Sequence, residues 1–541
     1  MPLMQIPQPG AYWPHFADLT SHTPAFDTLR TTAADLQAAL TAGKLTSVQI
    51  VEEYHRSIVK HNAYLKAIYE LAPGAVSRAR EMDDLRSRGQ VLGPLHGIPV
   101  VLKDNTDTEM AMGMHTTAGA VAFLDNEPAR NAAIVDKLLN AGMIVLGKAS
   151  MSEMSFWKGS DIPCGWSAAN GQAQSAYVYG GVDKDDSVAG HSSPLGSSTG
   201  SAIACSAGLT PIAIGTETFG SIVQPATRAA LYSIKPTLGI VPGRGIVPVS
   251  DEYDTAGPFG KTPKDVADLL TVLVDPSKTN VPLGGYAAAL GATWKDIKVG
   301  TLDPNIWTPD PAFVKYVEEV AEEIVLFWIR LILIDKTNVA CRVTAGSAKW
   351  SYDHVSPLTN SQFTMPDGRS AIMAKLTFTF EECLNRYLAD LKSSKIRTLA
   401  ELVEYNKIRA DTALPPENPS QSTLEASLHD PHDSAKLQEI ETHLQSVAAK
   451  FMSIWDQYDI DIILAPGDSG VYNFSAACGF PMATLPVSTL DEYNGRPYGL
   501  VACAKPHGEE ILMKTMDAWE ESNPFGPRRE PKAFLERRGM K

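Results

Sequence analysis

Apolar residues recur at helical spacing in several stretches of the chain. Val51, Tyr54 and Ile58 share one helical face, and Thr46 with Gln49 three residues on forms a capping box ahead of them. Residues 131–140 are helical in pattern, with Gly142 supplying the stop. The longest stripe is Leu437, Ile440, Leu444, Val447, Phe451 and Ile454, stepping by 3, 4, 3, 4 and 3. Between such helices lie short apolar runs at 98–102, 143–146, 211–214 and 459–465, which read as buried strands. Strand, helix and strand joined by short connections predict an α/β protein whose mixed or parallel sheet is covered by helices. No repeat and no clear interdomain linker interrupts this pattern. The expected organisation is an extended N-terminal arm over 1–30, rich in Pro, His and aromatics, and one large domain over 31–541.

Three polar stretches break the periodicity. Residues 158–201 are dense in Gly, Ser, Asn and Asp and contain Tyr177 and Tyr179. A polar segment of that length in a compact protein is usually functional or disordered. The others are 353–370 and 411–434, read as loops. Residues 201–207 are small and suit a tightly packed helix. Residues 324–334 are apolar on all sides except for Arg330. Eleven residues fall short of the roughly 20 that a membrane span needs, and the segment reads either as a buried helix running into a strand or as a divergent or mis-spliced stretch.

Composition narrows the class. Of 541 residues, 44% are hydrophobic and 20% charged, which excludes collagen-like, coiled-coil and disordered chains. Lys and Arg number 47 against 62 Asp and Glu, a net charge of −15, which repels phosphate backbones and argues against nucleic-acid binding. The six cysteines are scattered without a CxxC pair, so no zinc ribbon or disulfide framework is suggested. The first residues lack a basic and apolar leader pattern. The expectation is a cytoplasmic protein without a membrane span.

Several motifs invite a function and fail on inspection. Residues 142–149 approach a phosphate-binding loop, but the interior is strand-like and Ala149 stands where Ser or Thr would hold magnesium. Gly196-Ser197-Ser198-Thr199-Gly200 matches a nucleophile elbow, but Pro194 makes poor strand ahead of it. The run from His429 to Asp433 lacks fixed geometry for a metal. His96 and His115 flank the 98–102 strand and read as structural.

A constellation is more specific. Lys103 ends the apolar strand and is followed by Asp104 and Asn105. The loop LGSSTGS over 195–201 is joined through small residues and a strand to GTETFGS over 215–221, with Ser197 and Ser221 24 residues apart. Each piece alone is ordinary turn chemistry. Together with LHGIPVVLKDN, LGKASMSEM, LYSIKPTLGIVP, CGFPMATLPV and GRPYGL, the pattern resembles the amidase signature family from about Thr31 to Glu521. The resemblance implies a single large α/β/α sandwich around a twisted mixed β-sheet. It implies amide hydrolysis by a Ser–cis-Ser–Lys triad, with Ser221 as nucleophile, Ser197 as bridge after a cis Gly196–Ser197 bond, and Lys103 as base. The backbone N–H groups of Thr218, Phe219, Gly220 and Ser221 become the candidate oxyanion hole. No cofactor and no metal are called for.

The residue chemistry agrees with that reading. A serine needs a base to take its proton, and a lysine serves only when neutral. Burial at the end of an apolar strand lowers a lysine pKa from its free value of about 10.4. Leu195, Thr199, Phe219 and Val223 depart from the family pattern, and Arg228 is a candidate substitute for the guanidinium lost at Val223. The expected partner is a small-molecule amide whose acyl group is apolar or aromatic. Met154, Trp157, Tyr177, Tyr179 and the region of Trp350 are candidate pocket residues, and the 158–190 stretch is expected to border the mouth of the site. Two alternatives use the same residues: a glutaminase-type subunit of an amidotransferase complex, and a biosynthetic acyltransferase. Assembly as a homodimer is left open.

Overall fold

The computed structural model describes residues 23–184, 186, 190–301, 363–429, 433–468, 470–491, 494–523 and 526–537. In chain order the strands are β1 (Ile68–Leu71), β2 (Pro99–Lys103), β3 (Ile144–Ala149), β4 (Trp166–Ser167), β5 (Gly171–Gln172), β6 (Ile212–Glu217), β7 (Tyr232–Lys235), β8 (Thr255–Gly260), β9 (Val299–Thr301), β10 (Ile462–Pro466), β11 (Met482–Thr489) and β12 (Pro497–Ala504). Ten of them form one sheet in the order β1-β3-β2-β6-β8-β7-β11-β12-β10-β9, while β4 and β5 pair as a separate ribbon. The sheet is mixed: β3, β2 and β6 run parallel, as do β10 and β9, and the other pairs are antiparallel. The runs expected as strands become β2, β3, β6 and β10, with ends displaced by at most three residues.

Alternation along the strands divides the core between two faces. Ile462 and Leu464 join one buried cluster, Ile463 and Ala465 the other; Leu500 and Ala502 likewise separate from Val501 and Cys503. The first cluster is closed by the helices Ser47–Leu65, Ala133–Asn140, Thr199–Ser206, Pro263–Leu273 and Glu509–Ser522. The second is closed by Ala371–Asp390, Leu399–Ile408, Ser434–Tyr458 and Val471–Cys478. The result is the helix–sheet–helix sandwich expected from the sequence. Thr46 and Gln49 form the capping box, and Val51, Tyr54 and Ile58 are buried behind it. The stripe from Ile440 to Ile454 is buried, with Leu437 half-buried at its start.

The 411–434 stretch differs from its reading as a loop. It contains the end of the helix Ala410–Ala413 and the helix Ser422–His429, whose Leu424 is fully buried. Pro and Asp at its ends hid a short helix that packing, not propensity, stabilises. The apolar run 324–334, Trp350, Cys341, most of the N-terminal arm and part of the His429–Asp433 run lie outside the described residues. The described end of the arm lies on the body, where Leu29 is buried and Lys261 Nζ donates to Thr28 O and Thr31 O.

Candidate active site

β2 and β6 are parallel neighbours, with Leu102 opposite Ile214. Their carboxyl ends therefore meet at one edge, bringing Lys103 beside Thr216. Lys103 Nζ lies 2.7 Å from Ser197 Oγ, 2.9 Å from Thr216 Oγ1 and 3.1 Å from Thr216 O. Lys103 is completely buried. Burial pushes its amine down to about 7, against the opposing pull of the Asp254 and Glu217 carboxylates.

Ser197 enters the Thr199–Ser206 helix through a turn whose Gly196–Ser197 peptide bond is cis. Ser152 N donates to its carbonyl at 3.1 Å. Next to it, Ser198 Oγ donates to Thr216 O at 3.0 Å and accepts from Thr216 N at 3.1 Å. Ser198 N donates to Ser221 O at 3.3 Å, which ties the two serine-bearing loops together. Ser221 keeps 8% exposure, whereas Ser197 keeps 1%. Of the three serines, Ser221 is the most exposed.

The loop carrying Ser221 is fixed by two carboxylates, a fully buried Glu217 and a half-buried Asp254. Thr218 Oγ1 donates to Asp254 Oδ1 at 2.5 Å, and Asp254 Oδ2 accepts from Val249 N and Ser250 N at 2.8 and 3.0 Å. Burial pushes the Asp254 carboxyl up to about 6. Glu217 Oε2 accepts from Ile222 N at 2.6 Å and Val223 N at 3.0 Å, and the Gly220 amide also leans on that carboxylate. Phe219 stacks on Tyr472 with ring centroids 6.3 Å apart. These bonds fix the backbone on both sides of Ser221.

The structure thus brings Lys103, Ser197 and the Ser221 loop together. The other expected residues have partners of their own. Trp157 packs on Phe380 with its Nε1 donating to Ser427 Oγ, and Met154 is buried in the same cluster. Tyr177 is buried, and its hydroxyl donates to Arg529 O at 2.8 Å. Tyr179 is 41% exposed and donates through its amide to Asn494 O. Both tyrosines bond the C-terminal part of the chain. Arg228 is turned to Gly190 O, Ser193 O and Asp468. His96 bonds Met82 O and Leu92 N, and His115 pairs with Glu70, the structural roles expected of them. Asn105, Thr216, Glu217 and Asp254 shape the site without having been singled out. Asn105 stood in the quoted LKDN run and Thr216 and Glu217 in the quoted GTETFGS run, whereas no motif marked Asp254.

With this geometry in hand, the comparison with known families is decisive. Residues 49–469 match the family described as amidase. The chain belongs to the amidase family. As an amidase it is an amide-hydrolysing enzyme. A protein of Arabidopsis thaliana named for amidase activity is 29% identical over 94% of this chain and 93% of its own. A glutamyl-tRNA(Gln) amidotransferase chain of Chloroflexus aggregans is 34% identical over 50% of this chain and 52% of its own. Among solved structures, the peptide amidase of Stenotrophomonas maltophilia is 29% identical, covers 93% of this amidase and 98% of that chain, and superposes with a TM-score of 0.76. An amidase family protein of Bacillus anthracis is 26% identical over 93% of both chains, with a TM-score of 0.77. Among the described residues of the amidase no group of three His, Cys, Asp or Glu could hold a metal, and no helix is long and apolar enough to cross a membrane.

Proposed function

We propose that the amidase cleaves carboxylic amides by a serine relay. Ser221 Oγ attacks the carbonyl carbon; its proton passes to Ser197 Oγ as the Ser197 proton passes to Lys103 Nζ. The oxyanion forms against backbone N–H groups drawn from Thr218, Phe219 and Ser221, the Gly220 amide being held by Glu217. Collapse breaks the C–N bond, and the proton returns from Lys103 through Ser197 to the leaving nitrogen. Ammonia or an amine departs, and water attacks the acyl-enzyme by the same relay. The observation that carries this reading is the fully buried Lys103 amine, pushed down to about 7 and 2.7 Å from Ser197 Oγ. A base near neutrality is matched to proton transfer at physiological pH.

The solved relatives named peptide amidases make amidated peptides the first substrates to assay. The competing role, as the glutaminase of an amidotransferase complex, rests on likeness over half of the chain, and it requires partner proteins. Turnover by the isolated chain separates the two. Ser221→Ala is expected to abolish turnover while leaving the melting curve unchanged, and mass spectrometry of the acyl-enzyme is expected to map the adduct to Ser221. An adduct on Ser198 would overturn the assignment.

A further inference from the structure

The argument rests on Lys103 acting as the base of the proposed reaction. Three oxygens surround its amine: Ser197 Oγ at 2.7 Å, Thr216 Oγ1 at 2.9 Å and Thr216 O at 3.1 Å. A neutral amine offers two N–H donors and one lone pair. The Thr216 carbonyl can only accept, so it takes one N–H. The second N–H and the lone pair are left for two hydroxyls. Proton transfer from Ser197 needs the lone pair on the Ser197 side. Thr216 Oγ1 must then accept the second N–H; if the Thr216 hydroxyl proton pointed at Nζ instead, it would occupy the lone pair.

The orientation of one hydroxyl therefore decides whether the base is open. Asn105 Nδ2 donates to that hydroxyl oxygen at 2.9 Å. Asn105 is buried in the turn leaving β2, and its carbonyl accepts from Val247 N at 2.8 Å, so the side chain starts from a pinned backbone. The Thr216 backbone is pinned by Ser198 through both its N–H and its carbonyl. Asn105 Oδ1 has no hydrogen-bond partner among the described residues. A buried carbonyl oxygen without a donor costs stability, and such an exception asks for a reason. The other end of the same amide supplies one.

We infer that Asn105 is a positioning residue: by holding the Thr216 side chain in the rotamer that sets Oγ1 beside Nζ, it fixes where the Lys103 amine sits against Ser197. Loss of the amide frees that rotamer and lets the amine shift off Ser197, which lowers kcat and leaves KM in place. The amide also keeps a neutral donor, not a carboxylate, one atom away from the base. The charged groups facing Lys103 are Glu217 at the end of β6 and Asp254 ahead of β8. Asp104 is turned to Thr117 and Gly119, and Lys148 on β3 to Thr106 O and Thr116. A carboxylate at position 105 would add a third negative neighbour and favour the ammonium form.

The test compares Asn105→Ala, Asn105→Asp and Lys103→Ala in the full chain with an amidated peptide from about pH 5 to pH 10. Asn105→Ala is expected to lose about tenfold in kcat with KM within about twofold. Asn105→Asp, nearly isosteric and expected to fold, should move the acid limb of kcat/KM up by about one unit or more. It carries the test by itself if the alanine variant unfolds. A uniform loss, or no loss, with the acid limb unmoved in Asn105→Asp overturns the inference while Lys103→Ala remains inactive. Wild-type activity in Lys103→Ala would instead overturn the base assignment itself.

Discussion

A buried lysine works as a base only where it is neutral. With the Lys103 amine pushed down to about 7, kcat/KM should fall about tenfold per pH unit below that value and level off above it. A limb centred near the ordinary lysine value would refute the buried base. The same shift has a stability consequence. The unfolded chain holds this proton up to its ordinary value of 10.5, while the folded chain releases it near 7, so unfolding takes up a proton in that window. The contribution of this group to stability therefore rises with pH between about 7 and 10.5 and stays flat below it. Lys148 is the contrasting case. It is equally buried, but its Nζ donates to Thr106 O at 2.6 Å and Thr116 Oγ1 at 2.9 Å, with Asp104 and Asp107 as charged neighbours. Lys148→Ala should leave the acid limb in place and destabilise the fold by about 3 kcal/mol, measured by urea unfolding. Lys103 was legible in the sequence because a lysine ending an apolar run stands out. Thr216 and Asp254 were not, because each gains its role from a partner brought close by folding, and nothing in its own neighbourhood of the sequence marks that role.

At the scale of elements, the site depends on how closely one helix approaches its strands. The small residues of 201–207 announced tight packing, and the Thr199–Ser206 helix is buried at every position. Gly200 marks the tightest point: a Cβ there would lie 2.4 Å from Ala67 O, 2.5 Å from Ser150 O and 2.6 Å from Ser150 N. Backbone cannot yield as a side chain tip can. Gly200→Ala should therefore cost about 3 kcal/mol and, because Ser197 lies three residues upstream, lower kcat in the fraction that stays folded. Gly74→Ala, with nothing within 4 Å of the added carbon, should stay within about 0.5 kcal/mol. Equal melting curves for the two variants would mean that the helix rides freely over β1 and β3. The strand order was not legible. Period and composition mark β2 and β6 as strands, but nothing local records that they become parallel neighbours with their carboxyl ends on one edge. That pairing is what joins Lys103 to Thr216, and ligand sites commonly lie at such strand ends.

For the whole molecule, the question is what holds the long polar stretch before Ser197 against the body. The sequence marked 158–201 as functional or disordered and expected its tyrosines to line the acyl pocket. The stretch is fastened by polar side chains, several of them from far along the chain. Lys158 Nζ pairs with Glu153 at 2.7 Å and also reaches Ala413 O. Asn494 donates to His191 O, and Arg228 spans Gly190 O, Ser193 O and, at 3.3 Å, Asp468 Oδ2. Arg228 thereby joins the turn before Ser197 to the loop after β10, using the fork geometry that a lysine lacks. Arg228→Ala would leave two carbonyls and a buried carboxylate short of a donor, so the expected cost is about 3–5 kcal/mol. Arg228→Lys should recover less than half of it, since one ammonium cannot meet three acceptors set along a planar fork. Arg130, paired with Asp390 at 3.3 Å but 59% exposed, is the control, and Arg130→Ala should cost under about 1 kcal/mol. Urea unfolding of the three variants measures the difference, and kcat/KM for Arg228→Lys reports whether the Ser197 turn has loosened. If Arg228→Ala unfolds at the wild-type midpoint, the polar stretch is held by its own turns and the long-range clasp is incidental.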